Sequence, residues 1–327
     1  MASIALPPST TAPHELSSPS SSSKKTNNTN TNTNTTTTHA PPAKKADTKP
    51  HDVSAVFNYY RDPGDGTLPS PNYAGQLSSF TDKPIEPRTL PVHDIRGSEH
   101  AYTLDRTGFQ VVGHESREKD FVDDDEIKEI YYPEVEQILK ETTGASKVFI
   151  FDHTIRRPAA NSSPQTPEEA QHAAALRGPV QRVHIDQSYA AAPARVRHHL
   201  PDEAAELLRG RFQIINVWRP IKAIYKDPLG VADANSVADA DLVPLKLIYP
   251  DREGETYTVK ANDAHRWHYL YGQRPDEVLL IKCFDSKLDG RARRVAHSAF
   301  ENPEHVNDAP RESIEVRTLV FHPDDTA

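Results

Sequence analysis

Arg182-Val183-His184-Ile185-Asp186 alternates as a β-strand does, with His184 and Asp186 on one face and Ile185 packing on the other. Runs of similar length and β-rich composition lie on both sides of it. They span residues 147–155, 212–218, 245–249, 255–260, 266–271, 277–284, 295–300 and 313–321, separated by turn signals such as Asp251-Arg-Glu-Gly and Gly272-Gln-Arg-Pro. Residues 52–117, rich in Pro and Gly, read as strands and loops over a core, with 91–95 and 108–112 among the strands. Residues 158–179 read as a polar insertion. One helical stretch stands apart. Asp123 to Glu126 precede Ile127, Ile130 and Tyr131 at helical spacing, Pro133 opens a second piece carrying Val135, Ile138 and Leu139, and Gly144 ends it. A shorter helix is expected over 201–210. Many short strands after one helical segment predict a mainly β fold, a sandwich or jelly roll with helices packed outside.

The remaining sequence bounds the function. Residues 1–50 contain no Phe, Trp or Tyr and run through Ser, Asn and Thr tracts, so they cannot bury enough apolar surface to order themselves. They are expected to be a disordered tail, with residues 51–327 forming a single domain. Five Lys and two acidic residues lie in that tail, which leaves the rest with a net charge near −12. Binding nucleic acid through general electrostatics is therefore not expected. No apolar run is long enough to span a membrane, and the first residues fit neither a signal peptide nor an Arg-rich transit peptide, so a cytoplasmic protein is expected. The single Cys283 excludes an internal disulfide and any cysteine-built metal site, so a metal must sit on His, Asp and Glu.

His184 and Asp186 need a third ligand, and the best candidate is His297, 113 positions later in Val295-Ala-His-Ser-Ala-Phe. Two His and one carboxylate on one face of an octahedral Fe(II) leave three positions open, which suits oxygen activation with a chelating co-substrate. Fourteen positions beyond His297 comes Arg311-Glu-Ser313, on a strand where Arg311, Ser313, Glu315 and Arg317 share a face. An Arg can grip a carboxylate with two parallel hydrogen bonds and a Ser hydroxyl can add a third, as the far end of a dicarboxylate such as 2-oxoglutarate requires. Arg317 is a rival for that role.

The ordered set His-X-Asp, a distant His and Arg-X-Ser resembles the Fe(II)- and 2-oxoglutarate-dependent dioxygenases of the double-stranded β-helix, or cupin-like jelly-roll, fold. More narrowly, residues 53–321 resemble the AsaB-like fungal hydroxylase/desaturase family, whose relatives include gibberellin GA4 desaturase and cephamycin methoxylation proteins. The segments carrying this are 183–188, 212–221, 276–286, 296–300 and 312–317. The resemblance implies Fe(II) on His184, Asp186 and His297. It also implies 2-oxoglutarate on Arg311 and Ser313 or Arg317, O2 as oxidant, and no catalytic side chain beyond the metal ligands. The substrate is then a small molecule oxidised at an unactivated C–H bond, in secondary metabolism. Two other classes share the scaffold: a non-redox metal-dependent isomerase or hydrolase, and a non-catalytic interaction module.

Elsewhere, His198, His199, His265 and His268 read as surface or loop residues, and Trp218 and Trp267 as core, with Asn216 and Arg219 able to reach the cavity. Lys282 reads as an edge lysine that blocks strand pairing, with a carboxylate contact as the alternative. Cys283 reads as a small buried hydrophobe.

Overall fold

A computed structural model describes residues 50–76, 79, 82–157 and 178–326; all but the last residue of the expected tail and nearly all of the expected insertion lie outside the described residues. The chain is mostly β. Five strands form one sheet in the order β4 (Phe109–Gly113), β12 (Glu277–Asp285), β7 (Arg211–Pro220), β14 (Ser313–His322), β5 (Lys147–Arg156). Nine form the other. Its order is β1 (Val53–Tyr60), β3 (Ile85–Asp94), β11 (Trp267–Tyr269), β8 (Leu229–Ala232), β13 (His297–Ala299), β6 (His184–Ile185), β10 (Glu253–Val259), β9 (Leu242–Ile248), β2 (Asn72–Tyr73). Pairing is antiparallel except for β11 with β3 and β2 with β9.

Alternation along β14 explains how the five-stranded sheet is held. Ile314, Val316 and Val320 face one cluster with Ile215 and Val217 of β7 and the helical residues Ile127, Tyr131, Val135 and Leu139. Each such side chain contributes about 1.5–3 kcal/mol when fully buried. The opposite face carries Ser313, Glu315 and Arg317 and then changes character, with Leu319 and Phe321 packing on Val196, Leu207 and Cys283. β7 is buried along its whole length, as a central strand covered on both faces must be. A further cluster joins the sheets, since Trp218 of β7 and Ile281 of β12 pack with Leu229 and Val231 of β8.

The helical stretch follows its sequence cues closely. Asp123 Oδ1 accepts hydrogen bonds from the backbone N–H groups of Asp125 and Glu126 at 2.8 and 3.1 Å. Helix α1 (Tyr132–Thr143) has Pro133 in its first turn and ends at Gly144 with φ +70°. A wider π turn, Ile127–Tyr131, joins it to the capped start. Pro133 has no N–H to donate to the turn before it, which favours such a widening there.

Three expectations change. The helix expected at 201–210 shrinks to Ala204–Leu207, and an unexpected one, α2 (Ala192–His199), precedes it. Lys282 is no edge lysine: β12 lies between β4 and β7, and the ammonium is buried with Asp105 Oδ1, Asp285 Oδ2 and the Ala292 carbonyl within 3.0 Å. His265 does lie in a loop but is buried, between the Tyr59 hydroxyl and Asp241, and His268 is buried on β11 rather than in a loop or on the surface.

Candidate metal and co-substrate site

His184 and His297 are cross-strand partners on β6 and β13, with ring centroids 4.4 Å apart. Each ring is anchored by the same local device. His184 Nδ1 bonds to the Arg182 carbonyl at 2.7 Å, and His297 Nδ1 bonds to the Val295 carbonyl at 3.1 Å. A carbonyl only accepts, so both Nδ1 atoms carry a proton, and in the neutral ring the lone pair then lies on Nε2. Burial, with His184 beside it, pushes the pKa of His297 down to about 4, which keeps that ring neutral at neutral pH.

Asp186 follows β6 and turns its Oδ1 toward the same point, 3.3 Å from His184 Nε2 and 3.9 Å from His297 Nε2. Ligand atoms from all three residues lie within 4.8 Å of one another. The other carboxylate oxygen is held from the opposite sheet. Oδ2 accepts from Asn216 Nδ2 at 2.8 Å and from Arg317 Nε at 3.1 Å, and Asn216 and Arg317 are themselves register partners on β7 and β14. Burial raises the Asp186 pKa, but Arg317, followed by His184 and His297, outweighs it and holds the carboxyl well below the usual carboxylate range. The nine-stranded sheet thus supplies the imidazoles, and the five-stranded sheet orients the carboxylate.

Two cavities meet at this point and share Val180, His184, Asp186 and Arg317 in their walls. The narrower, with about 20 Å³ of room for water centres, extends from His297 past Trp218 to Arg311. The larger, with about 130 Å³, extends past Asn216 toward Phe151, Leu245 and Tyr249.

The two arginines of interest occupy different chemical settings. Arg317 bonds to Asp186, to Asp152 Oδ1 and Thr154 Oγ1 at 3.1 Å each, and to Glu315 Oε1 at 2.6 Å. Burial lowers its pKa, but Asp152, Glu315 and Asp186 carry it well above the usual value. Arg311 is only 4 % exposed, and its hydrogen bond runs from Nη1 to the carbonyl of Asp227, a residue in the left-handed region at φ +51°. It makes no ion pair among the described residues, its Nε has no partner, and its guanidinium sits 5.5 Å from the Trp218 ring. Burial, and after it the positive charge of Arg156, pushes its pKa down to about 9. Ser313 Oγ is likewise buried without a partner.

Comparison with known proteins bears on this arrangement. The family model described as "Oxidoreductase/YMDC permease-like domain" matches residues 57–321. Hydroxylase/desaturase efuI of Hormonema carpetanum is 40% identical over 286 residues, covering 83% of this chain and 96% of its own. The chain belongs to the fungal hydroxylase/desaturase family. Another relative is the alpha-ketoglutarate-dependent dioxygenase phiK of a fungal species, 38% identical over 82% of this chain and 95% of its own. Among solved structures, the iron and alpha-ketoglutarate-dependent endoperoxidase NvfI superposes with a TM-score of 0.71 at 26% identity, covering 84% of this chain and 99% of NvfI. The family is one of non-haem iron oxidoreductases, and its members use Fe(II), 2-oxoglutarate and O2.

Other sequence-derived candidates fall outside the site. Arg219 points away from the cavities and bonds to the Tyr131 hydroxyl and the His114 and Pro275 carbonyls. Lys282 makes no approach to the triad, and Cys283 is fully buried. Trp267 is core, whereas Trp218 is both core and a wall of the narrower cavity. The part played by Asn216 and Arg317 in holding Asp186 went unread. Its only trace is a pair of polar side chains on strands otherwise rich in Ile and Val.

Proposed function

We propose that His184, Asp186 and His297 hold Fe(II) in this enzyme, and that 2-oxoglutarate binds with its far carboxylate on Arg311 and Ser313. The observation that carries the reading is the contrast around Arg311, a buried cation that forms no ion pair among the described residues, in the wall of a cavity that also holds a two-His, one-carboxylate cluster. The donor set fits the ion: two imidazole nitrogens and one carboxylate oxygen converge on one point. The orphaned Arg311 Nε and Ser313 Oγ fit a carboxylate, which supplies the acceptors they lack. The narrow cavity alone is too small for the whole dicarboxylate. The space the two cavities share beside His184 and Asp186 would have to take the rest of it.

Bound there, iron and 2-oxoglutarate would supply the oxidising power, drawn from O2, needed to break an unactivated C–H bond and give an alcohol or an alkene. The chain's own residues fix the geometry. The Arg182 and Val295 carbonyls set both imidazole tautomers, and Asn216 and Arg317 aim the Asp186 oxygen. Leu229, Ala299 and Trp218 are apolar members of the narrow cavity's otherwise mainly polar wall and limit the room left for water beside it. The substrate is a small molecule entering by the larger cavity, and fungal secondary metabolism is the setting its relatives support.

The sheets read as a double-stranded β-helix, with residues 51–327 as one domain, residues 1–50 as a dispensable tail and the cytoplasm as the location. A truncation starting at His51 is expected to keep its thermal midpoint and turnover. The decisive experiment is anaerobic titration with Fe(II) and 2-oxoglutarate followed by visible absorption. A metal-to-ligand band that is lost in His184→Ala and His297→Ala supports the reading; its absence in the unaltered protein overturns it.

A further inference from the structure

The larger cavity has an unbalanced wall. Its acids are Asp152, Asp186 and Glu255, and its cations are Lys83, Arg182, Arg195 and Arg317. Arg317 takes both Asp152 and Asp186. None of Lys83, Arg182, Arg195 and Glu255 makes an ion pair within the described residues, which leaves three cations against one acid. Lys83 donates to Ser70 Oγ and the Pro71 carbonyl, and Arg182 donates to the Lys83 carbonyl. Arg195, on α2, is the least satisfied of the three. It makes a single hydrogen bond, Nε to Gln187 Oε1, at the outer limit of 3.5 Å, and its guanidinium lies 5.1 Å from the Phe151 ring centroid.

We propose that the larger cavity binds an organic anion, a carboxylate-bearing substrate whose charged group is gripped by Arg195 while its apolar body packs on Leu245, Leu247, Tyr249 and Tyr257. The Phe151 ring holds the guanidinium in place before the ligand arrives, so less of the binding energy goes into ordering the side chain. Burial lowers the pKa of Arg195, with Tyr249 and Asp152 only partly opposing it, as expected of a cation placed in a cavity before its counter-charge. Asn216 adds a second constraint nearer the triad. Its Nδ2 is committed to Asp186, and its Oδ1 is buried without a partner, so a hydroxyl or N–H on the substrate beside the triad has an acceptor there. The inference rests on the reading above only in giving the narrower cavity to 2-oxoglutarate.

The test uses full-length protein loaded with Mn(II), which does not turn over, and saturated with 2-oxoglutarate. Three acid and ketone pairs of matched shape serve as probes: benzoate and acetophenone, 2-naphthoate and 2-acetylnaphthalene, cyclohexanecarboxylate and acetylcyclohexane. Calorimetry gives each dissociation constant. At least one acid is expected to bind roughly tenfold or more tightly than its ketone. Arg195→Gln should abolish that preference and leave the ketone unchanged, while Arg195→Lys should restore part of it. Arg311→Leu, measured with Mn(II) alone, should leave acid binding in place. The proposal is overturned if no acid is preferred over its ketone, if Arg195→Gln leaves the preference intact, or if it disappears instead in Arg182→Gln or Arg311→Leu. Failure of 2-oxoglutarate to bind the loaded protein sinks the co-substrate assignment, whereas an acid preference that depends on Arg195 still sustains the anion site.

Discussion

Arg311 and Arg317 lie six positions apart and both are buried in the wall of the narrow cavity, yet one is surrounded by acceptors and the other has almost none. Arg317 is on β14 and Arg311 just before that strand, which does not reach it as the alternation predicted. Arg317 is a structural cation: three carboxylates and a threonine hydroxyl compensate its desolvation, and its chemical effect passes through Asp186. Arg311 is a cation in waiting, buried at a cost that the folded chain does not recover by itself. A protein retains an uncompensated buried charge where a ligand completes it. The contrast separates a residue that builds a site from one with donors left over for a ligand: Arg317 lies within β14, and Arg311 two positions before its start.

Removing Arg317 should have the largest effect. Arg317→Leu leaves Asp152, Glu315 and Asp186 without a shared cation, and breaking a buried pair in this way costs about 3–5 kcal/mol. Thermal unfolding should show a large drop in midpoint, and Fe(II) retention should fall on the order of 10–100-fold because Asp186 loses its orienting bond. Retention of iron at the unaltered level would show that Asn216 alone orients the carboxylate.

Arg311→Leu should do the reverse to stability. It deletes an unpaired buried charge, so the ligand-free protein should unfold at the same temperature or higher. Its apparent constant for 2-oxoglutarate should nevertheless rise tens- to hundreds-fold, corresponding to about 2–4 kcal/mol for the lost charge-assisted bonds. If the constant rises only in an Arg317 variant that still binds iron, the co-substrate contact moves to Arg317.

Ser313→Ala should raise the same constant only severalfold, since one neutral hydrogen bond contributes about 1 kcal/mol. The smallest effect concerns pH and uses a third buried cation, Lys282, as a control. Burial raises the pKa of its partner Asp285, but hydrogen bonds and charge from Arg211 and Lys282 bring it below the ordinary value of 3.8. A carboxylate with a depressed folded-state pKa stabilises above its unfolded value and loses that contribution as pH falls through the folded one. Asp285→Asn should therefore flatten the decline in stability below about pH 4. Arg311→Leu should leave that decline unchanged.

The parts of this arrangement that could be read from sequence are those written in local patterns. The β14 alternation, the Asp123 cap, the Pro133 break and the Gly144 stop each depend on residues within a turn or two of one another. That His184 and Asp186 come together was legible for the same reason, and His297 was singled out because a metal triad needs a third ligand. What escaped depends on long-range register. Nothing near Lys282 in sequence shows that β4 and β7 flank its strand, and Asp105, which it binds, lies 177 positions away. Asn216 and Arg317 meet Asp186 across the gap between two sheets, 30 and 131 positions from it. Helix α2 has weak local signals: Arg197, His198 and His199 crowd its last turn, and only Ala192 and Val196 are buried. Arg195 was missed with it.

The two imidazoles stand on the shortest strands near the centre of the nine-stranded sheet, with two residues in β6 and three in β13, joined to each other by a single register pair. So little ladder gives that seam slight mechanical strength of its own. An ion held by both imidazoles would therefore act as a clasp across it, and metal release would be tied to local opening of the sheet. Amide hydrogen exchange should reveal the coupling as slower exchange at Ile185 and Ser298 on loading with a divalent cation, while amides deep in β7 stay unchanged.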